Sequence, residues 1–181
     1  MMNKKMLALG LILAVVGLNP VTEELEFHSA TAYMLSHYAV VSSGFILGYL
    51  LLRNDWKFSV IGVVPVIFWH LPLPFSLGAG ILEFRVLLDV SLLLGGFLLG
   101  SSIHTLPQWS KISLFALYML GDTVLSILLV IGSPEYSNKV YPFSPYSPES
   151  LPLAGIFMIV AMNVILATVI YLAFRSVLRG L

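Results

Sequence analysis

Cysteine is absent from the 181 residues. That removes disulfides, thiolate nucleophiles and Cys metal sites, so a bound metal would need His, Met, Asp, Glu, Tyr or backbone ligands. Charge is scarce too: Asp, Glu, Lys and Arg make up 10% of the chain, where a soluble domain carries about a quarter. The nine basic and nine acidic residues cancel, which leaves nothing to suggest nucleic acid as a partner and no polybasic surface for lipid headgroups. Also missing are a Gly-x-Ser-x-Gly elbow, a phosphate-cradling glycine loop and a tightly spaced zinc motif. Nucleophilic catalysis therefore has no support, and the chain reads as a non-enzyme. Its two halves show no internal repeat of the kind many transporters carry.

What is abundant is apolar. Hydrophobic residues are 59% of the chain and the mean hydropathy is +0.97, more apolar surface than a water-soluble fold can hide. The runs repeat at about 20 residues, the length of a helical bilayer crossing. The expectation is a single all-α domain over 1–181, a polytopic membrane helix bundle surrounded by lipid, with about six transmembrane helices. These fall near 6–18, 28–52, 58–70, 81–103, 112–131 and 151–174. The first run has the length of a secretory h-region, but no small-residue cleavage site precedes Val21, and it is kept as a helix. Pro72 and Pro74 end the third helix, and the Pro-, Ser- and Tyr-rich stretch from Ser133 to Ser150 reads as an aqueous loop. With six spans, Lys4, Lys5, Arg53, Lys57, Lys111, Arg175 and Arg179 share one side and Lys139 alone lies in a loop on the other. The positive-inside rule then puts both termini in the cytoplasm at the cell membrane.

Ionisable groups inside a bilayer are costly, so each is a candidate for function. His28, His37 and His70 fall toward the outer side, and Glu83, Arg85 and Asp89 begin the fourth helix. Together they predict an outward-facing polar pocket. Tyr33, Met34 and His37 are spaced to bring a phenol, a thioether and an imidazole to one region. His28 and His37 are nine apart, nearly opposite on one helix, and share an ion only if the helix starts after His28. Arg85 and Asp89, four apart, suit an ion pair along the helix. Asp122 lies mid-membrane as a hydrogen-bond donor, a proton relay or a partner for Arg85. Met158 and Met162 suit packing better than ligation. As a metal set, His37 and His70, with Met34 and His28 in support, suit copper. Two facing imidazoles could instead hold haem b.

Several segments carry a resemblance. Asn19-Pro20 through Phe27, followed by Tyr33-Met34-Leu35-Ser36-His37, resembles the Ser-Pro turn and His-Met-x-x-His of CtaG-like cytochrome c oxidase assembly factors. Trp69-His70-Leu71-Pro72 resembles that family's Trp-His-x-Pro. Gly121-Asp122, Tyr141-Pro142 and Ala154-Gly155-Ile156-Phe157-Met158 resemble its last two spans. The likeness runs from about Leu11 to Arg175. It implies an accessory or assembly protein of a respiratory haem-copper oxidase, partnered by subunits of the terminal oxidase or another respiratory complex, with copper handled on the outer side. The departures are specific: Tyr33 replaces the first His, Arg85 and Asp89 stand around an expected His pair, the Asp-Gln before the last helix is missing, and Ile159 replaces a Trp. These leave a non-catalytic or haem-binding membrane subunit and a small transporter as the alternative readings.

Overall fold

A computed structural model describes residues 3–178; Arg179 lies outside the described residues. The chain is all-helical, with no strand among the described residues. Among the described residues eight α-helices follow one another: α1 (Lys4–Gly17), α2 (Pro20–His28), α3 (Ala30–Leu51), α4 (Lys57–Trp69), α5 (Pro72–Gly80), α6 (Leu82–Ser102), α7 (Gln108–Val130) and α8 (Leu151–Leu178). Two single 3₁₀ turns, Pro134–Tyr136 and Pro148–Ser150, shape the loop between α7 and α8.

α3, α7 and α8 are long and apolar enough to cross a membrane, which suits a membrane protein; two bent pairs, α1 with α2 and α4 with α5, raise the number to five if each is one crossing. The expected count of six is thus not what helix length and composition give, because α6 is not among these candidates.

The helices expected at 28–52 and 58–70 correspond to α3 and α4, and beside each lies a short helix, α2 or α5, that periodicity did not disclose. α1 bends by 53° into α2. Asn19 makes the corner: its side-chain oxygen accepts from Val21 and Thr22 N–H, while its amide donates to Val15 and Val16 carbonyls. One residue caps the end of α1 and the start of α2, with Pro20 pre-set at the first helical position. α4 bends by 74° into α5. Pro72 does end α4, but as the first residue of a new helix that retains Pro74. Pro65 lies inside α4 without breaking it.

α3 and α6 form the centre of the bundle, with α1 and α4 packed beside them and α8 carrying α7 at the edge. Small residues set this contact. A Cβ on Gly48 would lie 2.0 Å from Phe97 O, and one on Gly100 1.9 Å from Phe45 O, so two backbones meet where no larger residue fits. The α3 C-terminus meets the end of α6 through Asn54 N–H donating to Ser101 O. The α7–α8 loop closes the opposite end, against Glu26 and His70. About 33 Å of helix in α3 separates the two ends.

Candidate functional site

The site is organised by Arg85, in the first turn of α6, whose side chain is fully buried. α5 ends at Gly80, leaving its last carbonyls without helical donors. Arg85 supplies them: Nε donates to Gly78 O at 2.6 Å and a terminal nitrogen to Ala79 O at 2.6 Å. Its other terminal nitrogen donates to Glu26 Oε2 at 2.7 Å and to Glu23 O at 3.4 Å, both on α2. The guanidinium also lies 4.2 Å from the Phe27 ring centre and 5.0 Å from that of Tyr33. A single side chain thus fastens α2, α5 and α6 together.

Below it runs an aromatic and imidazole column. Tyr33 is buried on α3, and its hydroxyl donates to Phe75 O at 3.1 Å. Gly78 makes room, since a Cβ there would stand 2.6 Å from that hydroxyl. The Tyr33 and His37 ring centres are 4.2 Å apart, and those of His37 and His70 5.7 Å, edge to face. The α4–α5 bend is what brings His70 here. His70 Nδ1 bonds Val66 O. A carbonyl only accepts, so Nδ1 carries the hydrogen and Nε2 keeps its lone pair. His37 is buried, and neither of its ring nitrogens has a hydrogen-bond partner. Ser76 Oγ, Glu26 Oε1 and Asp89 Oδ1 are likewise buried without one.

The loop expected to be merely aqueous forms the roof of the site. Tyr136 donates to His70 O at 3.0 Å and Tyr146 to Glu26 O. Ser137 is fully buried. Burial, and then Glu135 and Tyr141, push the Tyr136 hydroxyl up to about 12. Burial raises the Tyr146 hydroxyl as well, against the opposing pull of Arg85.

Of the residues expected to line an outward-facing pocket, Tyr33, His37, His70 and Arg85 lie side by side, Asp89 stands one turn along α6 from Arg85, and Met34 is buried in the adjoining core. His28 does not join them, although α3 does start after it: its side chain is exposed on α2, 3.4 Å from Glu24. Glu83 is exposed on α6. The expected Arg85–Asp89 ion pair is replaced by Arg85–Glu26, because the guanidinium reaches across to α2 and up to the end of α5. Asp122 is not a partner of Arg85 either; it accepts from Tyr38 at 2.6 Å, on another face of α3. His104 stacks on Tyr49 at the far end, ring centres 4.3 Å apart. Met158 and Met162 are buried in packing. Among the described residues no group of three or more His, Cys, Asp or Glu is placed to hold a metal. Two imidazoles are the nitrogen donors at hand.

Glu26 and Tyr146 are the site residues that sequence reasoning missed. Glu26 sits in what reads as an acidic loop, yet Asn19, Pro20 and Glu23 are helix-start signals that announce α2. Nothing in the local sequence singles out Tyr146 among the tyrosines of its loop.

Fold and site define an all-helical, membrane-type protein with a buried polar column at one end of the bundle. The chain belongs to the family described as Protein of unknown function (DUF1404), which matches residues 8–176. No curated protein and no solved structure matches it.

Proposed function

We propose that this protein is a membrane-embedded accessory or assembly protein of a respiratory haem-copper oxidase, and that it holds copper between His37 and His70. The observation that carries the reading is the pair itself: two imidazoles 5.7 Å apart between ring centres, His37 buried with both nitrogens unpartnered and His70 half-buried beside it. His70 has the support usual for a metal-binding imidazole, Nδ1 tied to a backbone carbonyl so that Nε2 presents a lone pair. Two nitrogens with a thioether nearby suit copper, whereas zinc takes about four ligands and calcium six or more oxygens. Haem b is disfavoured because Tyr33 and Phe75, ring centres 5.1 Å apart, fill space a macrocycle would need. The oxidase as partner rests on the resemblance around Trp69-His70-Leu71-Pro72 and Tyr141-Pro142.

The same reading takes each bent pair as one crossing and α6 as the sixth span. The basic residues then mark the cytoplasmic end, where both termini lie, and the His pair faces the outer side.

Copper titration of the purified protein under reducing conditions, against a chromophoric chelator, tests this. We expect one copper per chain, lost in His37→Ala and in His70→Ala and kept in His28→Ala, with oxidase activity in cells falling in step. A Soret band would favour the haem-binding subunit instead. Neither metal nor haem, with full oxidase activity in cells carrying His37→Ala, would end the copper reading and leave the small transporter.

A further inference from the structure

Glu26 is paired with the buried guanidinium of Arg85, and Asp89, one turn further along α6, lies within its electrostatic reach without a bond to it. Glu26 Oε2 receives Arg85, but its Oε1 has no donor, and neither has Asp89 Oδ1. Arg85 has little left to give, since four of its five N–H groups go to Gly78 O, Ala79 O, Glu23 O and Glu26 Oε2. The nearby Ser36 hydroxyl is committed as well, donating to Tyr33 O at 2.9 Å. With both carboxyls ionised, the cluster would carry one net negative charge and two oxygens that neither a protein donor nor solvent reaches, although Asp89 as a whole is half-buried.

The groups facing this cluster do not compensate. α2 supplies Glu23, half-buried and within electrostatic reach of Asp89, which adds negative charge. α3 supplies Tyr33 and His37, and the roof loop supplies Tyr146, whose hydrogen goes to Glu26 O. α5 contributes carbonyls and Ser76 but no ionisable group. Among the described residues Arg85 is the single cation beside the cluster, and no group of three or more His, Cys, Asp or Glu is placed there to hold a metal. What two unpartnered carboxylate oxygens and one surplus negative charge can still bind is a proton.

We propose that Glu26 and Asp89 form a proton-binding site that holds one proton between them beside Arg85. The site is separate from the His37–His70 pair and does not depend on copper. Protonation makes the cluster neutral and gives a bare oxygen a hydrogen to donate. Loss of the proton leaves a buried negative charge directly above the imidazole column.

Infrared difference spectroscopy on the metal-free full chain in lipid nanodiscs, taken between neutral and alkaline pH, reads this proton as the C=O stretch of a protonated carboxyl. The expected result is a band present at neutral pH, shifted in deuterated water and lost at alkaline pH. Glu26→Gln and Asp89→Asn should each remove or shift it, and Asp122→Asn, the other buried carboxyl, should leave it. A wild-type spectrum without such a band overturns the proposal, with no variant needed. So does a band that survives both Glu26→Gln and Asp89→Asn, or that disappears only in Asp122→Asn. Because copper takes no part, failure of the copper titration leaves this result standing, and the reverse also holds.

Discussion

Arg85 and Glu26, 59 residues apart in the chain, meet at 2.7 Å with both side chains essentially without solvent contact. Removing one partner of such a pair strands the other charge, at a cost of about 3–5 kcal/mol. Arg85→Ala also leaves the Gly78 and Ala79 carbonyls without donors, so it should destabilise more than Glu26→Gln, which keeps a hydrogen-bond acceptor. Lysine cannot rescue, since a point charge does not replace a fork that reaches three segments. Thermal unfolding in detergent should therefore rank wild type, Glu26→Gln, Arg85→Lys, Arg85→Ala in falling order. Arg85→Lys at wild-type stability would show that the fork geometry is unimportant.

A second expectation concerns the helix contact at the centre of the bundle. Gly100→Ala would drive a methyl to 1.9 Å from Phe45 O, backbone on a rigid helix that can give way only by separating α3 from α6. Overpacking of this kind costs about 1–3 kcal/mol. Gly121, on α7, has nothing within 4 Å of its would-be Cβ. There alanine should be neutral or stabilising by up to about 1 kcal/mol, from helix propensity. Opposite signs for the two substitutions in one melting series would confirm that the glycines do different things.

Which parts were legible depended on how local their signals were. Apolar runs announced α3, α6, α7 and α8, since a crossing must show its length in sequence. The Trp-His-x-Pro segment placed His70 at a break and so near the level of His37, where the structure has it. Arg85 misled because the nearest acid in sequence, Asp89, offered itself four residues on, whereas the true partner lies on a nine-residue helix rich in glutamate that resembles a loop. The roof could not be read at all. Its tyrosines are fixed by the carbonyls of Glu26 and His70, and those are freed only by helix ends and bends that exist once the chain has folded.

The roof should respond to alkali. Tyr136 is held up to about 12 from an ordinary 10.0, chiefly by burial. Between those values the unfolded loop releases its proton and the folded loop does not, so the folded form binds more protons and loses stability as pH rises. Below pH 10 both forms are protonated and the contribution is constant. Limited proteolysis of the loop between α7 and α8 should therefore accelerate between about pH 10 and 12, and Tyr136→Phe should flatten that rise while raising the baseline rate through the lost bond to His70 O, worth about 1 kcal/mol. An unchanged pH profile in Tyr136→Phe would assign the effect to another group.

The orientation of the bundle is open to a direct measurement, and the fold dictates where to make it. Ser137 is a poor reporter because it is fully buried under the roof, but Asn138 is exposed on the same loop, and Asp55 is exposed between α3 and α4. The first sits at the end closed by Tyr136 and Tyr146, the second at the end where Asn54 meets Ser101. The chain has no cysteine of its own, so a single Cys at either position is a clean target. In intact cells a membrane-impermeant maleimide should label Asn138→Cys and spare Asp55→Cys, with both labelled after permeabilisation. The direction follows from the basic residues: Lys4, Lys5, Arg53, Lys57, Lys111 and Arg175 belong to the Asp55 end, while Lys139 adjoins Asn138. Labelling of Asp55→Cys alone would invert the bundle and turn the His37–His70 pair toward the cytoplasm. Labelling of both from outside would mean that the two ends do not lie across a membrane from each other.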